Sequence, residues 1–371
     1  MIKNLVVGVG LSGAVIAERL AKVLNEPVLI IDRRNHIGGN AYDYRDTCSG
    51  IMVHRYGPHV FHTNDKSVWD YLSTFTEWGY FMLKVKSFID GQEVPLAFNL
   101  NSLHQVFPKN LAIKLEGDLI KKFGFNKKVP ILELRKSKEL SFLANYIYEK
   151  IFLGYTLKQW GIKPEDLDPS VTGRIPIYIS HDNRYFQDKY QGIPINGYTE
   201  MIKKMLSSPL IEVKLNTSWE SIKNDITYER LFFTGPIDEF FEYRFGALPY
   251  RSLDIVFRTY QQEYYQSTAF ITFPENYDFT RSCEYKYFLN EKSNKTVVSF
   301  EYPQAYIRGK NEPYYPIPSE KNEKLYMKYQ KLADIMDNVY FLGRLGNYKY
   351  YNMDQVVKNT LEFFEKLKSN L

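Results

Sequence analysis

The chain has 371 residues and only two cysteines, Cys48 and Cys283. Two cysteines cannot make a disulfide framework, and no Cys/His spacing suited to a metal is present, so a reducing compartment and no metal are expected. No stretch approaches the roughly 18 apolar residues of a membrane span. The first apolar run is broken by glycines and lacks the layout of a signal peptide, which makes the cytoplasm the expected address. Charge of one sign is also missing. Lys and Arg number 48 against 43 Asp and Glu, and the resulting net charge of +5 is too slight to argue for nucleic acid. There is no tandem repeat and no low-complexity tract. What is abundant is aromatic side chain, with 31 Tyr and 25 Phe. Most of these serve packing, and a minority is left to stack on a base or a sugar. Hydrophobic residues at 44% and charged residues at 25% are an ordinary globular balance. The length favours two or three lobes over one core.

The chain is organised around residues 1–40. Lys3-Asn4-Leu5-Val6-Val7 reads as a strand and runs into Gly8-Val9-Gly10-Leu11-Ser12-Gly13. A helical pattern follows, with Val15, Ile16, Leu20, Val23 and Leu24 on one face. A second strand, Pro27-Val28-Leu29-Ile30-Ile31, ends on Asp32, 19 residues after Gly13. A lone GxGxxG is weak, but strand, glycine turn, helix, strand and terminal acid together favour a bound dinucleotide over a merely structural turn. The glycines give a tight turn and close backbone approach, the helix N-terminus faces the pyrophosphate, and Asp32 takes the ribose. Next comes Arg33-Arg34-Asn35-His36-Ile37-Gly38-Gly39-Asn40. A Gly-Gly soon after the ribose acid resembles FAD enzymes of the amine-oxidase-like class more than NAD dehydrogenases, so FAD is the expected cofactor.

Residues 42–63 include Tyr56-Gly57-Pro58-His59-Val60-Phe61-His62-Thr63. Each histidine reads either as a packed structural residue or, for one of them, as a neighbour of the flavin ring. Residues 65–80 look helical. Residues 84–96 alternate around Asp90-Gly91, a hairpin signal. Helical spacing then holds over residues 100–158, and the Lys-rich stretch 121–128 reads as a solvated face. Gly161 and Gly173 bound a segment rich in Pro and acids, read as a mobile surface loop with Arg174 at its end as a lid arginine. The stretch 180–198 carries Tyr185 and turns at Gly192 and Gly197, and residues 202–206 continue a helix. Strands are expected at residues 211–215 and 229–234, the latter ending on Thr234-Gly235 where the chain can cross a dinucleotide closely. Residues 253–273 and 296–301 suggest an antiparallel sheet. Pro313-Tyr314-Tyr315-Pro316 reads as stiff and extended, residues 338–344 as a strand and glycine, and residues 355–367 as a last helix.

The expected fold is α/β: a Rossmann-like FAD-binding domain with an inserted helical lobe and an antiparallel β-sheet domain. Residues 1–80, 196–243 and 318–371 would form the first, 101–180 the helical lobe with its mobile loop, and 81–100, 181–195 and 244–317 the sheet domain.

Four runs sharpen this. They are Tyr56 to Thr63 as given above, Gly154-Tyr155-Thr156-Leu157-Lys158-Gln159-Trp160-Gly161, Tyr314-Tyr315-Pro316, and Phe341-Leu342-Gly343-Arg344-Leu345-Gly346. In this order the chain resembles the UDP-galactopyranose mutase family from its first strand to its last helix. The resemblance implies a cytoplasmic homodimer that supplies galactofuranose for cell-surface polysaccharide by interconverting UDP-galactopyranose and UDP-galactofuranose. It implies UDP-galactose as substrate and reduced FAD kept so by NAD(P)H or another donor. Its N5 would attack the anomeric carbon and expel UDP, with no net redox change. Arg174 and Arg281 match the catalytic diphosphate arginines, Tyr185 and Tyr350 the phosphate tyrosines, and Tyr155 the uridine-stacking ring with Phe152 nearby. Trp160 matches the tryptophan of the pocket, and Tyr314 falls near the sugar or flavin. Gly8, Gly10, Ser12, Gly13, Asp32, Arg33, Gly39, Asn40 and His59 fall to the cofactor. Arg344, with Met353 and Asp354 at the start of the last helix, favours negative charge on the flavin's N1–O2 edge. Three positions depart from the family pattern. Asn352 stands where relatives often carry an aspartate, Ile151 replaces a frequent aromatic, and Met82-Leu83-Lys84-Val85 stands where Asn-Arg-Val is common. These touch sugar preference, including room for a larger 2-substituent. The competing readings are an amine-oxidase-like FAD oxidoreductase and a non-catalytic sugar-nucleotide binder.

Overall fold

Three separated stretches of chain build one parallel sheet. In the computed structural model, which describes residues 1–370, its strands run in the order Ile211–Lys214, Val28–Ile31, Ile2–Val7, Tyr228–Phe233 and Val339–Phe341. Both faces are covered, which is why these strands read as nearly unbroken apolar runs. Val6, Ile30 and Phe232 pack with the helices Leu11–Val23, Gly197–Met205 and Met353–Ser369. Leu5, Val7, Ile31 and Phe233 point the other way, toward Trp219 and Phe240. The alternation follows from the pleat.

A seven-stranded sheet forms the second layer system. Its order is Tyr315–Pro316, Tyr250–Tyr260, Thr296–Ala305, Arg281–Glu284, Phe270–Thr272, Val85–Ile89 and Gln92–Leu96. It is antiparallel but for one pair, Phe270–Thr272 beside Val85–Ile89. These two strands are far apart in the chain, so no tight turn dictates their direction. The hairpin at Asp90-Gly91 forms as the sequence suggests, with φ of 48° and 77° at the two turn residues and Ile89 opposite Gln92.

The helices Leu100–Val106, Lys109–Phe123, Ile131–Leu134, Ser141–Ile147 and Gly154–Trp160 occupy one insertion. Leu103, Ala112, Leu115, Leu119, Leu143 and Ile147 form its core, and Lys121, Lys122, Lys127 and Lys128 stay exposed. Two sequence expectations shorten. The helix in residues 65–80 is Lys66–Ser73, followed by a two-residue strand, Trp78–Gly79, paired with Ile193 and Pro194. The run 253–273 is not one strand, because Tyr250–Tyr260 ends where Tyr260 meets Thr296 and the chain loops out before Phe270. Among the described residues no helix is long and apolar enough to cross a membrane.

Candidate active site

A cavity of about 1340 Å³, counted with its open mouth, lies over the C-terminal ends of the parallel strands. Gly8, Gly10, Ser12, Asp32, Arg33, Gly39 and Asn40 line it. No side chain caps the helix that starts at Leu11, so its first-turn N–H groups remain for phosphate oxygens. Gly13 does not line the cavity. It lets the helix sit on the strand turn, since a Cβ there would lie 1.9 Å from the Gly8 carbonyl oxygen. Gly39, at φ +55°, would place a Cβ 2.7 Å from Gly10 Cα. Asp32 braces this corner. Its Oδ2 accepts from Val9 N at 2.8 Å and its Oδ1 from Arg34 N at 2.9 Å, and each oxygen keeps lone pairs for a further donor.

Glu312 closes one side of the mouth. It pairs with Arg33 at 2.5 Å and with Arg34 at 2.8 Å, and Arg34 lies 4.2 Å from the centre of the Tyr56 ring. Nothing in the sequence singled out Glu312 or Arg34, whose pairing spans 278 residues. The same segment brings Tyr314, which is buried and lines the cavity. The donor-rich loop, the braced acid and the size of the space fit a flavin dinucleotide.

His59, Arg344 and Met353 line this cavity and also a second one, of about 800 Å³ with its mouth. His59 donates its backbone N–H to His54 Nδ1 at 2.9 Å. Burial, with the neighbouring His54 and Arg344, pushes the His59 imidazole down to about 3, so it is neutral at physiological pH. Arg344 donates to the carbonyl oxygens of Tyr314 at 3.3 Å and Tyr351 at 2.6 Å. Burial and the nearby Arg174 charge hold its guanidinium below the ordinary value. Asp354, in the first turn of the last helix, lines neither cavity.

Tyr155, Tyr185, Arg281 and Asn352 line the second cavity. Arg281 sits directly across the ladder from Glu301. Its Nε and Nη2 reach Glu301 Oε1 at 3.1 and 2.8 Å, and Nη2 reaches Oε2 at 2.8 Å. Burial opposes the Arg281 charge, but the Glu301 carboxylate and nearby phenols outweigh it and hold the guanidinium well above its ordinary value. Arg174 ends the 161–174 segment, which folds into one-turn helices at Pro164–Asp166 and Pro169–Thr172. Its Nη2 donates to Asn352 Oδ1 at 2.8 Å and to the Tyr350 carbonyl at 3.1 Å, and its guanidinium lies 3.8 Å from the Tyr350 ring centre. Arg344 approaches that ring to 5.4 Å. Tyr350 thus lies against two guanidiniums, with Tyr315 at 5.3 Å and Trp160 at 5.7 Å packed edge-on. Among the described residues neither Arg174 nor Arg344 has a carboxylate within salt-bridge distance, so the site carries unbalanced positive charge. Phe152 and Ile151 pack in the helical core and line neither cavity.

The run from Gly154 to Gly161 is fastened to the sheet. A Cβ at Gly154 would lie 2.1 Å from the Pro274 carbonyl oxygen. Lys158 Nζ donates to the carbonyl of Phe273 and to those of Glu275, Tyr277 and Phe279 at 3.0, 3.0 and 3.4 Å. Arg251 caps the C-terminus through the carbonyls of Gln159 at 2.7 Å and Lys158 at 3.0 Å. The helix that presents Tyr155 is therefore tied to the turn that leads to Arg281. Sequence reading missed this, and it missed Glu301 and Tyr315.

A probable UDP-galactopyranose mutase of Klebsiella pneumoniae is 38% identical over 375 residues, covering 100% of this chain and 96% of that one. The chain belongs to the UDP-galactopyranose mutase family. The model of this mutase family matches residues 150–350, and that of an NAD(P)-binding Rossmann-like domain matches residues 6–75. A dTDP-fucopyranose mutase of Escherichia coli is 34% identical, covering 98% of this chain and 97% of that one. The crystal structure of a reduced UDP-galactopyranose mutase aligns over 100% of this chain and 96% of its own, with a TM-score of 0.75 at 14% identity, which speaks to the fold. Membership in the mutase family carries the isomerase assignment and, with the Rossmann-like match, a flavin cofactor. It sets the oxidase reading aside.

Proposed function

We propose that this chain is a flavin-dependent mutase that interconverts the pyranose and furanose forms of UDP-galactose without net redox change. The observation that carries the reading is a cavity lined by Arg281, Tyr155 and Tyr185, with Arg174 and Tyr350 tied to its wall through Asn352, that shares His59, Arg344 and Met353 with the dinucleotide cavity. Gly8, Gly10, Ser12, Asp32, Gly39 and Asn40 would hold FAD, which in its reduced form would supply a nucleophile for the anomeric carbon.

The chain's own residues hold what leaves and what stays. Arg281 offers a guanidinium already oriented by Glu301, and a fork of donors suits diphosphate oxygens as the C1–O bond to UDP breaks and reforms. Arg174 adds a second charge, with the Tyr185 and Tyr350 hydroxyls as further donors. Tyr155 stacks on uracil, and Trp160 and Tyr315 keep Tyr350 in place. Arg344, which lines both cavities, would favour negative charge on a bound flavin. Neutral His59 adds no competing charge there. The 161–174 segment covers the diphosphate and excludes water while the sugar ring is open. The cofactor lobe comprises 1–80, 196–243 and 318–371, with the remaining lobes divided as the sequence suggests. The working unit is a cytoplasmic homodimer reduced by NAD(P)H or another donor.

The test is conversion of UDP-galactofuranose by the purified yellow protein, with and without dithionite, read by chromatography. Turnover only with reduced flavin, and no stoichiometric use of reductant, is expected. Oxygen consumption with an amine and no sugar conversion would refute the proposal.

A further inference from the structure

Resting on the mutase reading, we infer that His62 is the proton carrier of ring opening and closure, its Nε2 giving a proton to the C5 oxygen of the sugar and taking one from the C4 oxygen. His62 is the middle residue of the short strand Phe61–Thr63 and lies opposite Gln191 of Tyr190–Pro194. Its ring stacks on Phe186, with 3.6 Å between centroids and 13° between planes. Nδ1 meets Asp188 Oδ2 at 2.9 Å, and Asn64 Nδ2 donates to Asp188 Oδ1 at 2.5 Å. The pairing with His62 holds the Asp188 carboxyl below its usual range, so the carboxylate accepts and Nδ1 carries the proton. Nε2 is left over. It has no hydrogen-bond partner among the described residues, and His62 lines the second cavity.

Under the mutase reading the sugar occupies that cavity, between Arg281 and Tyr185 on one side and His59, Arg344 and Met353 on the other. Ring contraction brings a proton requirement there. Opening breaks the C1–O5 bond. Its electron pair stays on O5, which takes the Nε2 proton, and the nucleophile on C1 replaces the lost bond with its own lone pair. Closure reverses this through O4. That oxygen bonds to C1, the nucleophile regains its pair, and the O4 proton passes to Nε2. One proton enters and one leaves, so the imidazole ends as it began. Among the described residues no carboxylate lines the cavity. Its other titratable groups are unsuited to the exchange. Burial pushes the Tyr155 and Tyr185 phenols up, the latter to about 12, and pushes the His59 imidazole down to about 3. Arginine keeps its proton throughout. What remains is an imidazole held by a carboxylate at one nitrogen and open at the other, the arrangement that suits a general acid and base.

The experiment uses flavin-loaded protein reduced by dithionite and UDP-galactopyranose carrying a heavy-oxygen label in the C1–O–P bridge. Departure and return of the diphosphate scrambles the label into non-bridging positions and needs no proton at O5 or O4, whereas furanose formation needs both transfers. His62→Gln keeps a planar polar group that does not carry the proton. It should slow furanose formation by about a hundredfold to ten-thousandfold, the usual worth of a general acid–base group. Label scrambling, flavin content and UDP binding by calorimetry should stay at the parent level. Asp188→Asn, which offers Nδ1 a donor in place of an acceptor, should show the same split to a smaller extent. Loss of scrambling in step with furanose formation in both variants overturns the inference, as does furanose formation at the parent rate in His62→Gln. If the parent neither forms furanose nor scrambles the label with flavin bound and reduced, the mutase reading itself falls.

Discussion

Replacing Lys158 with Met tests whether the helix bearing Tyr155 and the turn leading to Arg281 are one unit. The side chain keeps its length and apolar stem, so what is lost is the ammonium that gathers the carbonyls of Phe273, Glu275, Tyr277 and Phe279. A hydrogen bond from a charged donor is worth about 1.5–3 kcal/mol net. The ammonium has three protons, and Tyr277 is exposed enough for water to replace one of these bonds. A loss of about 2–4 kcal/mol follows. In a chain longer than those for which 1 kcal/mol moves the melting point by about 2–4 °C, the melting point should fall by about 3–8 °C. The close packing of Gly154 on Pro274 means the loosened helix shifts Tyr155 relative to Arg281. KM for the sugar nucleotide should rise by about tenfold, the cost of one displaced contact, with a smaller change in kcat. Differential scanning fluorimetry and initial-rate kinetics on the reduced enzyme read both quantities. A melting point within about 1 °C of the parent, together with an unchanged KM, would refute the coupling.

Arg174→Ala should lower kcat/KM by about a hundredfold, as loss of a transition-state donor does, while flavin content stays at the parent level because Arg174 lies outside the dinucleotide cavity. Retained turnover would remove Arg174 from the diphosphate site. Asn352→Asp converts the Arg174–Asn352 hydrogen bond into an ion pair and cancels one positive charge of the site, so UDP should bind about tenfold more weakly by calorimetry. Tighter binding would contradict the charge argument. Gly13→Ala drives a Cβ into the Gly8 carbonyl and should leave a protein that retains little FAD, measured as flavin absorbance per chain. Burial pushes the Asp238 carboxyl up to about 6, so the stability it contributes is present below about pH 4 and is lost as pH rises through 6. Asp238→Asn keeps an oxygen for Leu248 N and should be more stable than the parent by about 1–3 kcal/mol at pH 7.5, with the gain vanishing near pH 4 in thermal melts. A gain independent of pH would refute it.

The elements that were legible in the sequence are those whose reason is local. The first strand, glycine turn, helix and second strand announce themselves because each carries its own period, and the Asp90-Gly91 turn because both residues tolerate positive φ. The end of the strand at Tyr260 was not legible. The loop after it is as rich in Tyr as the strand, and only the loss of a partner beyond Thr296 stops the ladder. The same distinction divides the site. Arg281 and Arg174 could be found because motifs mark positions along the chain. Glu301 could not, because its pairing with Arg281 depends on the register of two strands, and a slip of one residue would turn it to the other face. Glu312 lies further out of reach, since its contact with Arg33 and Arg34 requires the whole sheet domain to bring residues 306–314 back over the first βαβ unit. The difference has a chemical consequence. Among the described residues, of the three guanidiniums near the second cavity Arg281 alone is neutralised by a carboxylate, while Arg174 and Arg344 rest on carbonyl, amide and aromatic groups. Sequence alone shows three equivalent arginines; the register shows one aligned by its acid and two left with charge to meet an anion.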